Sequence, residues 1–186
     1  MLQSNDLSVE SLFTVGELRE NHELEMTLSV LPRVVSRVRQ FIEGFVAESA
    51  ERMGTAPYLA DRVALATHEL LENVAKYAED RHGVLRLASR PDGSGQRRLT
   101  VSVTNRTAPE HVERVKALFE DFEASQDPMA HYLALLGRRS AVGESGIGLA
   151  RIRAECGMTL SLSVDGDEVR IAATTQPFAP ADGHRR

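Results

Sequence analysis

Glu69 and Asn73 are the two residues whose types and spacing are best suited to chemistry. The segment around them is predicted to be helical, so residues four apart lie on one face, one turn from each other. A carboxylate and a carboxamide in this arrangement can hold Mg²⁺ through hard oxygen ligands, with a base beside the ion. The pair alone is weak evidence, because Glu and Asn also occur one turn apart on many solvated helices.

A glycine-rich segment further along the chain suggests a phosphate site. It runs directly into an amphipathic stretch, and so offers free backbone N–H groups and a helix N-terminus to a phosphate. Two alternatives stay open: the glycines could only provide a turn with positive φ, and Ser145 could only cap the helix. The candidate phosphate-binding residues are Gly143, Ser145, Gly146, Ile147, Gly148 and Leu149.

Composition limits the kind of protein. A chain of 186 residues can bury one good core, and a net charge of −5 argues against general nucleic-acid binding. The single cysteine, Cys156, excludes an intramolecular disulfide and is compatible with a reducing compartment. The N-terminus lacks a signal-peptide pattern, and no apolar run approaches the ~20 residues of a membrane span. We therefore expect a cytoplasmic protein that binds neither nucleic acid nor membrane.

The apolar pattern predicts the elements that position these residues. Alternation from His22 to Val30 predicts a strand. Two amphipathic helices follow, the first after Pro32 and the second carrying Glu69 and Asn73. The remaining predictions are strands at Val84–Ala88 and Leu99–Asn105, helices at Val112–Phe122, Met129–Leu136 and Leu149–Glu155, and a closing hairpin from Leu160 to Ile171.

This order predicts an α+β fold: a two-layer α/β sandwich with helices on one face of a mixed, mostly antiparallel sheet. Residues 1–20 are expected to form an N-terminal extension and residues 21–175 a single domain. Within that domain, residues 109–142 are expected to be a helical insertion that serves as a lid. Residues 176–186 are expected to be a disordered tail.

The element order and the two motifs together resemble the GHKL family, the Bergerat-type ATP-binding fold shared by gyrase, Hsp90, histidine kinases and MutL. Within it, the chain is similar to the small anti-sigma-factor serine/threonine kinases, from about His22 to Thr174. The resemblance implies ATP and Mg²⁺ as cofactors, Glu69 as general base, Asn73 as magnesium ligand and Lys76 as a phosphate contact. A lysine near a helix C-terminus is also favourable for the helix dipole alone.

The chain departs from the family pattern at Asn105. The family ends this strand with Asp-x-Gly, whose carboxylate accepts a hydrogen bond from adenine, whereas this chain has Asn105-Arg106-Thr107. A carboxamide can accept a hydrogen bond, but it is neutral and also a donor. Asn here, the helical insertion and the Gly-Ile-Gly-Leu box resemble the SiaB-type kinases, which act on a small antagonist protein in bacterial partner-switching pathways.

The resemblance implies an ATP-dependent kinase for signal transduction, with an anti-sigma-antagonist-like protein as substrate and with homodimers possible through the domain edge. The absence of Asp-x-Gly leaves a second hypothesis open. In that hypothesis the chain is a catalytically inactive regulator of the same fold that acts by binding a protein.

Overall fold

The computed structural model describes residues 23–53, 58–137 and 146–178. These residues form five strands and five helices. The strands are β1 (Glu23–Ser29), β2 (His82–Pro91), β3 (Arg97–Arg106), β4 (Thr159–Asp165) and β5 (Glu168–Thr174). The helices are α1 (Pro32–Met53), α2 (Tyr58–Tyr77), α3 (Pro109–Ala124), α4 (Pro128–Gly137) and α5 (Ile147–Glu155).

The strands form one sheet in the order β1-β2-β3-β5-β4. Every pairing among the described strands is antiparallel, so the mixed sheet expected from the sequence is corrected to an antiparallel one. The reason is the position of β5. Strands β3 and β4 run in the same direction, but β5 lies between them and pairs antiparallel with both.

The two-layer α/β sandwich is confirmed. Alternate residues of β1 (Leu24, Met26 and Leu28) are buried in the core with the apolar stripes of α1 and α2. The residues between them belong to the opposite face, which is polar: Glu25 of β1 pairs with Arg86 of β2 there. Alternation with a period of two thus places the whole core between the sheet and one helical layer.

The hairpin of β2 and β3 is longer than its apolar pattern predicted. Its register extends to Pro91 opposite Arg97. Arg97 donates from Nε to the Oγ of Ser89 at 2.9 Å and from Nη2 to the Ser89 carbonyl oxygen at 2.8 Å. The side chain of Ser89 is therefore buried with its hydroxyl paired. Polar residues continue the ladder because their hydrogen bonds are satisfied within it.

The predicted insertion contains two helices, as expected, although α3 already begins at Pro109. Past the predicted domain boundary, Phe178 still forms an antiparallel bridge with Arg97. The predicted N-terminal extension and residues 179–186 of the predicted tail lie outside the described residues. No helix in the described part of the chain is long and apolar enough to cross a membrane.

Helix α5 ends at a buried thiol. Cys156 caps its C-terminus and is 2% exposed. Burial in apolar surroundings, with Glu155 adding to the effect, raises the pKa of the Cys156 thiol to about 11. The thiol therefore stays protonated at neutral pH and behaves as a small apolar core group.

Candidate functional site

A cleft lies where α2, α3 and α5 meet β3 and β5. It holds about 540 Å³ of empty space, counting its open mouth. Its walls are largely apolar, and its residues are Asn73, Tyr77, Asn105, Thr107, His111, Arg114, Val115, Leu118, Gly146, Leu149, Val169 and Ile171. The sequence-predicted residues Asn73, Asn105, Gly146 and Leu149 are thus brought together in one cavity.

The floor of the cleft joins the end of α2 to the end of β3. The Thr107 hydroxyl donates to the Tyr77 carbonyl oxygen at 2.6 Å, and Thr107 also bridges to Ala78. This contact holds Asn105, two residues before Thr107, close to the last turn of α2. Asn73 lies one turn before Tyr77 on α2, so both asparagines border the same space.

The carboxamide of Asn105 is oriented by the backbone of the next residue. Its Nδ2 donates to the Arg106 carbonyl oxygen at 3.1 Å. Only the amide nitrogen can donate to a carbonyl, so this bond identifies which atom of the carboxamide is Nδ2 and which is Oδ1. The Oδ1 atom is left as an acceptor without a hydrogen-bond donor among the described residues. Asn105 can therefore present an acceptor, as an aspartate would, without the charge.

Glu69 lies outside the cleft, in a filled corner between α2 and α5. Its side chain is 13% exposed, and Nη1 of Arg151 donates to its Oε1 at 3.2 Å. Arg151 also donates from Nε to Oε2 of Glu155 at 2.8 Å. The hydrogen bond that Arg151 donates to Glu155, with Glu69 adding to the effect, raises the pKa of Arg151. The predicted base is therefore already paired with a cation, and we call Glu69, Gly148 and Arg151 the Glu69 corner.

The glycines of the box provide room rather than unusual backbone angles. Gly146 has an extended φ of 175°, and neither it nor Gly148 lies in the left-handed region, so the turn interpretation of these two residues is wrong. A Cβ at position 148 would lie 2.5 Å from Oε2 of Glu69, and one at position 146 would lie 3.1 Å from Cδ1 of Leu118. Glycine at these positions lets Glu69 and Leu118 approach the α5 backbone closely.

Of the other candidate phosphate-binding residues, the structure describes Leu149 and Ile147. Leu149 is 4% exposed and contributes to both the core and the cleft. Ile147 begins α5 and does not line the cleft among the described residues. Gly143 and Ser145 lie outside the described residues.

Lys76 points to a neighbour on its own helix. Its Nζ donates to Oε2 of Glu72 at 2.9 Å, and both side chains are largely exposed. This hydrogen bond lowers the pKa of Glu72, with smaller contributions from the charges of Lys76 and His68. Lys76 is not among the described residues that line the cleft.

The sequence predicted the helical insertion as a lid, but it did not single out the α3 residues that line the cleft. His111, Arg114, Val115 and Leu118 all line the cleft. Their spacing of i, i+3, i+4 and i+7 is that of one helix face. The signal was present, since a helix had been predicted over most of this stretch, but the apolar pattern alone does not distinguish a face toward a cleft from one toward the core.

The described residues contain no group of three or more His, Cys, Asp or Glu that could hold a metal ion. A magnesium site in the cleft would therefore use Asn73 together with phosphate oxygens and water. That donor set suits Mg²⁺, which keeps several waters and binds with substrate phosphates rather than in an all-protein cage.

No family model and no curated protein matches this sequence. Among solved structures, the chain is similar to a chain in the crystal structure of the SiaB–SiaC complex from Pseudomonas aeruginosa. The match has 16% identity and a TM-score of 0.56, and it covers 82% of this chain and 88% of that chain. At this identity the likeness shows the fold, and it agrees with the SiaB-like architecture expected from the motifs.

Proposed function

We propose that this protein binds ATP with Mg²⁺ in the cleft and transfers the γ-phosphate to a Ser or Thr hydroxyl of a small partner protein in a bacterial partner-switching pathway. The observation that carries the proposal is that Asn73 and Asn105, assigned from the sequence to magnesium and adenine, line one cleft.

The chemistry of the cleft fits a nucleotide base. The apolar walls from Val115, Leu118 and Leu149 suit the faces of a flat ring. The Oδ1 atom of Asn105 is an acceptor for the exocyclic amine of adenine, because Nδ2 is engaged with the backbone. An asparagine held in this way can replace the aspartate of the related kinases at this one contact.

The N-terminus of α5 is the proposed phosphate contact. Gly146 precedes the helix, and no side chain caps it. The first backbone N–H groups of a helix have no partner within it, so those of Ile147, Gly148 and Leu149 can donate to phosphate oxygens. Gly143 and Ser145 are proposed to extend this contact. Lys76 could add its charge by leaving Glu72, because an exposed pair contributes only ~0.3–0.5 kcal/mol.

Glu69 is the proposed base, one helical turn from Asn73. In this role its carboxylate leaves Arg151 and accepts the proton of the attacking hydroxyl. Phosphoryl transfer depends mainly on positioning and charge neutralisation. Bound Mg²⁺ would supply the neutralisation on the phosphates.

Two observations support a protein partner. The structurally similar chain comes from a complex of two proteins, SiaB and SiaC. In this chain, α4 leaves Met129 44% and Leu133 58% exposed, and no residue of this apolar helix is fully buried. Large exposed apolar side chains on one helix are typical of a protein contact.

A second candidate function is a regulator without catalysis, which acts through the same protein contact. The pairing of Glu69 with Arg151 favours it, because a neutralised carboxylate held in a filled corner is not free to act as a base. The two candidates differ in whether ATP is turned over.

Calorimetric titration of ATP with Mg²⁺ into the wild type and Asn73→Ala tests the proposal. We expect micromolar binding that weakens at least about tenfold in the variant, a loss of ~1.4 kcal/mol. The matched control is the same pair of titrations with EDTA in place of Mg²⁺, where the difference should disappear. Absence of ATP binding to the wild type would reject the kinase and leave the protein-binding regulator.

A further inference from the structure

We infer that His111, in the first turn of α3, contacts the base of the bound nucleotide and helps to select it. The inference rests on the proposed nucleotide binding and adds a residue from the helical insertion to the recognition site. It makes α3 part of the ligand-binding surface as well as a cover over the cleft.

The position of His111 is set by its packing on α2. Its ring meets the ring of Tyr77 edge to face, with centroids 5.1 Å apart and an angle of 61° between the planes. Tyr77 in turn accepts the Thr107 hydroxyl through its carbonyl oxygen. His111 therefore lies at the same end of the cleft as Asn105 and Thr107, and all of them line it.

The Nδ1 atom of His111 is buried and has no hydrogen-bond partner. Leaving a buried polar atom unpaired is unfavourable, so a ligand that supplies a partner gains affinity. His68 and His131 also have a buried, unpaired Nδ1, but neither lines this cleft. His111 combines an unpaired ring nitrogen with a place in the cavity wall. Because Nδ1 itself has almost no accessible surface, a base in the cleft reaches it once the ring turns about its Cβ–Cγ bond.

The two polar atoms define the ligand chemistry. In a largely apolar cleft, Oδ1 of Asn105 is available to accept a hydrogen bond, and the buried Nδ1 of His111 lacks a partner. A flat heterocycle with polar groups along one edge satisfies both while its faces lie against apolar side chains. A purine base has this shape and this edge, and the smaller ring of a pyrimidine reaches fewer polar atoms.

The experiment compares the affinity of ATP with that of UTP, both with Mg²⁺, in the wild type and in His111→Phe. Phenylalanine keeps the ring packing on Tyr77 and removes the nitrogen. The loss of one hydrogen bond predicts a fall of about 2- to 12-fold in the ATP-to-UTP affinity ratio. His111→Gln, which retains a polar group, should recover part of the ratio. His131→Phe is the matched control and should leave the ratio unchanged.

The outcomes separate the inference from the proposed function. Wild-type protein that binds ATP while His111→Phe and His111→Gln keep the full ratio would overturn the inference alone. An equal loss of affinity for both nucleotides would also overturn it, because the residue would then act on the triphosphate or on the fold. A lowered ratio in His131→Phe would assign the effect to helix packing and overturn it too. Wild-type protein that binds neither nucleotide would overturn both the inference and the proposed function.

Discussion

The Glu69 corner and the cleft are neighbours on α2, but they differ in whether their polar atoms already have partners. In the corner, Arg151 pairs with the Glu69 carboxylate, and the α5 backbone at Gly148 packs so closely against that carboxylate that a Cβ there would clash with it. In the cleft, Oδ1 of Asn105 and Nδ1 of His111 lack partners among the described residues. The comparison teaches that a Glu-x-x-x-Asn spacing places two side chains on one helix face without placing them in one cavity. Ligand affinity should therefore depend on the cleft, and any chemistry should depend on opening the corner.

The largest expected effect is on turnover. Glu69→Ala should lower the release of phosphate from ATP to water by at least about 100-fold, since general base catalysis contributes typically 10²–10⁴-fold. The affinity for ATP should stay within about twofold, because Glu69 does not line the cleft. Glu69→Gln is the matched control for shape, since it keeps an acceptor for Arg151 and cannot take the proton. Turnover that survives in both variants would remove Glu69 from the mechanism and weaken the contrast between the two regions.

An intermediate effect is expected from Arg151→Met. The substitution leaves the mostly buried Glu69 carboxylate without its ion-pair partner, at a cost of about 1–2 kcal/mol in the free energy of unfolding. Because Arg151 is itself 39% exposed, the lower end of that range is expected. Chemical denaturation measures the stability, and calorimetry with ATP should show unchanged affinity. Arg151→Lys, which keeps the charge, should recover part of the stability.

A different result would change the comparison. If Arg151→Met raised the turnover of ATP, the ion pair would be a restraint on the base rather than a support for it. If it weakened ATP binding about tenfold, the corner and the cleft would act as one site.

The smallest effect is expected at Lys76, which belongs to neither region. Its hydrogen bond lowers the pKa of Glu72 below the ordinary value of 4.5. A lowered pKa in the folded state means that the stabilisation is present above the unfolded value and is lost as pH falls through the folded value. Lys76→Met should therefore reduce stability by only ~0.3–0.5 kcal/mol at pH 7, and the difference should vanish in acid.

Denaturation at pH 7 and below pH 4 measures this difference for Lys76→Met. The affinity of the same variant for ATP should also be measured. An unchanged affinity would mean that Lys76 only forms a surface ion pair with Glu72. A drop of about threefold or more would instead give it the phosphate contact that the family resemblance implies.

The elements were largely predictable because their apolar periods are strong. The alternating apolar residues of β1 and the helically spaced apolar residues of α2 are enough to assign these two elements without tertiary information. The direction of neighbouring strands was not predictable in full. Local pattern does not reveal that β5 inserts between β3 and β4, since that choice depends on packing between distant segments.

The candidate site was predictable in its residue types and less so in its partners. Asn73 and Asn105 were found because a motif and a strand end mark them, and both line the cleft. The pairing of Glu69 with Arg151 spans 82 positions in sequence, and no local pattern reports such a contact. His111 was not among the candidates found from the sequence, because its importance comes from the ring of Tyr77 and from an unpaired nitrogen that only the folded chain reveals.

The Cys156 thiol at the end of α5 can report how often this helix separates from the core. Cys156 is the only cysteine of the chain, and its burial and raised pKa protect it from alkylating reagents in the folded state. Its labelling rate therefore measures how often α5 detaches from the core. Because Leu149 of the same helix lines the cleft, a bound ligand should slow that labelling, and binding can be followed by mass spectrometry without introducing a probe.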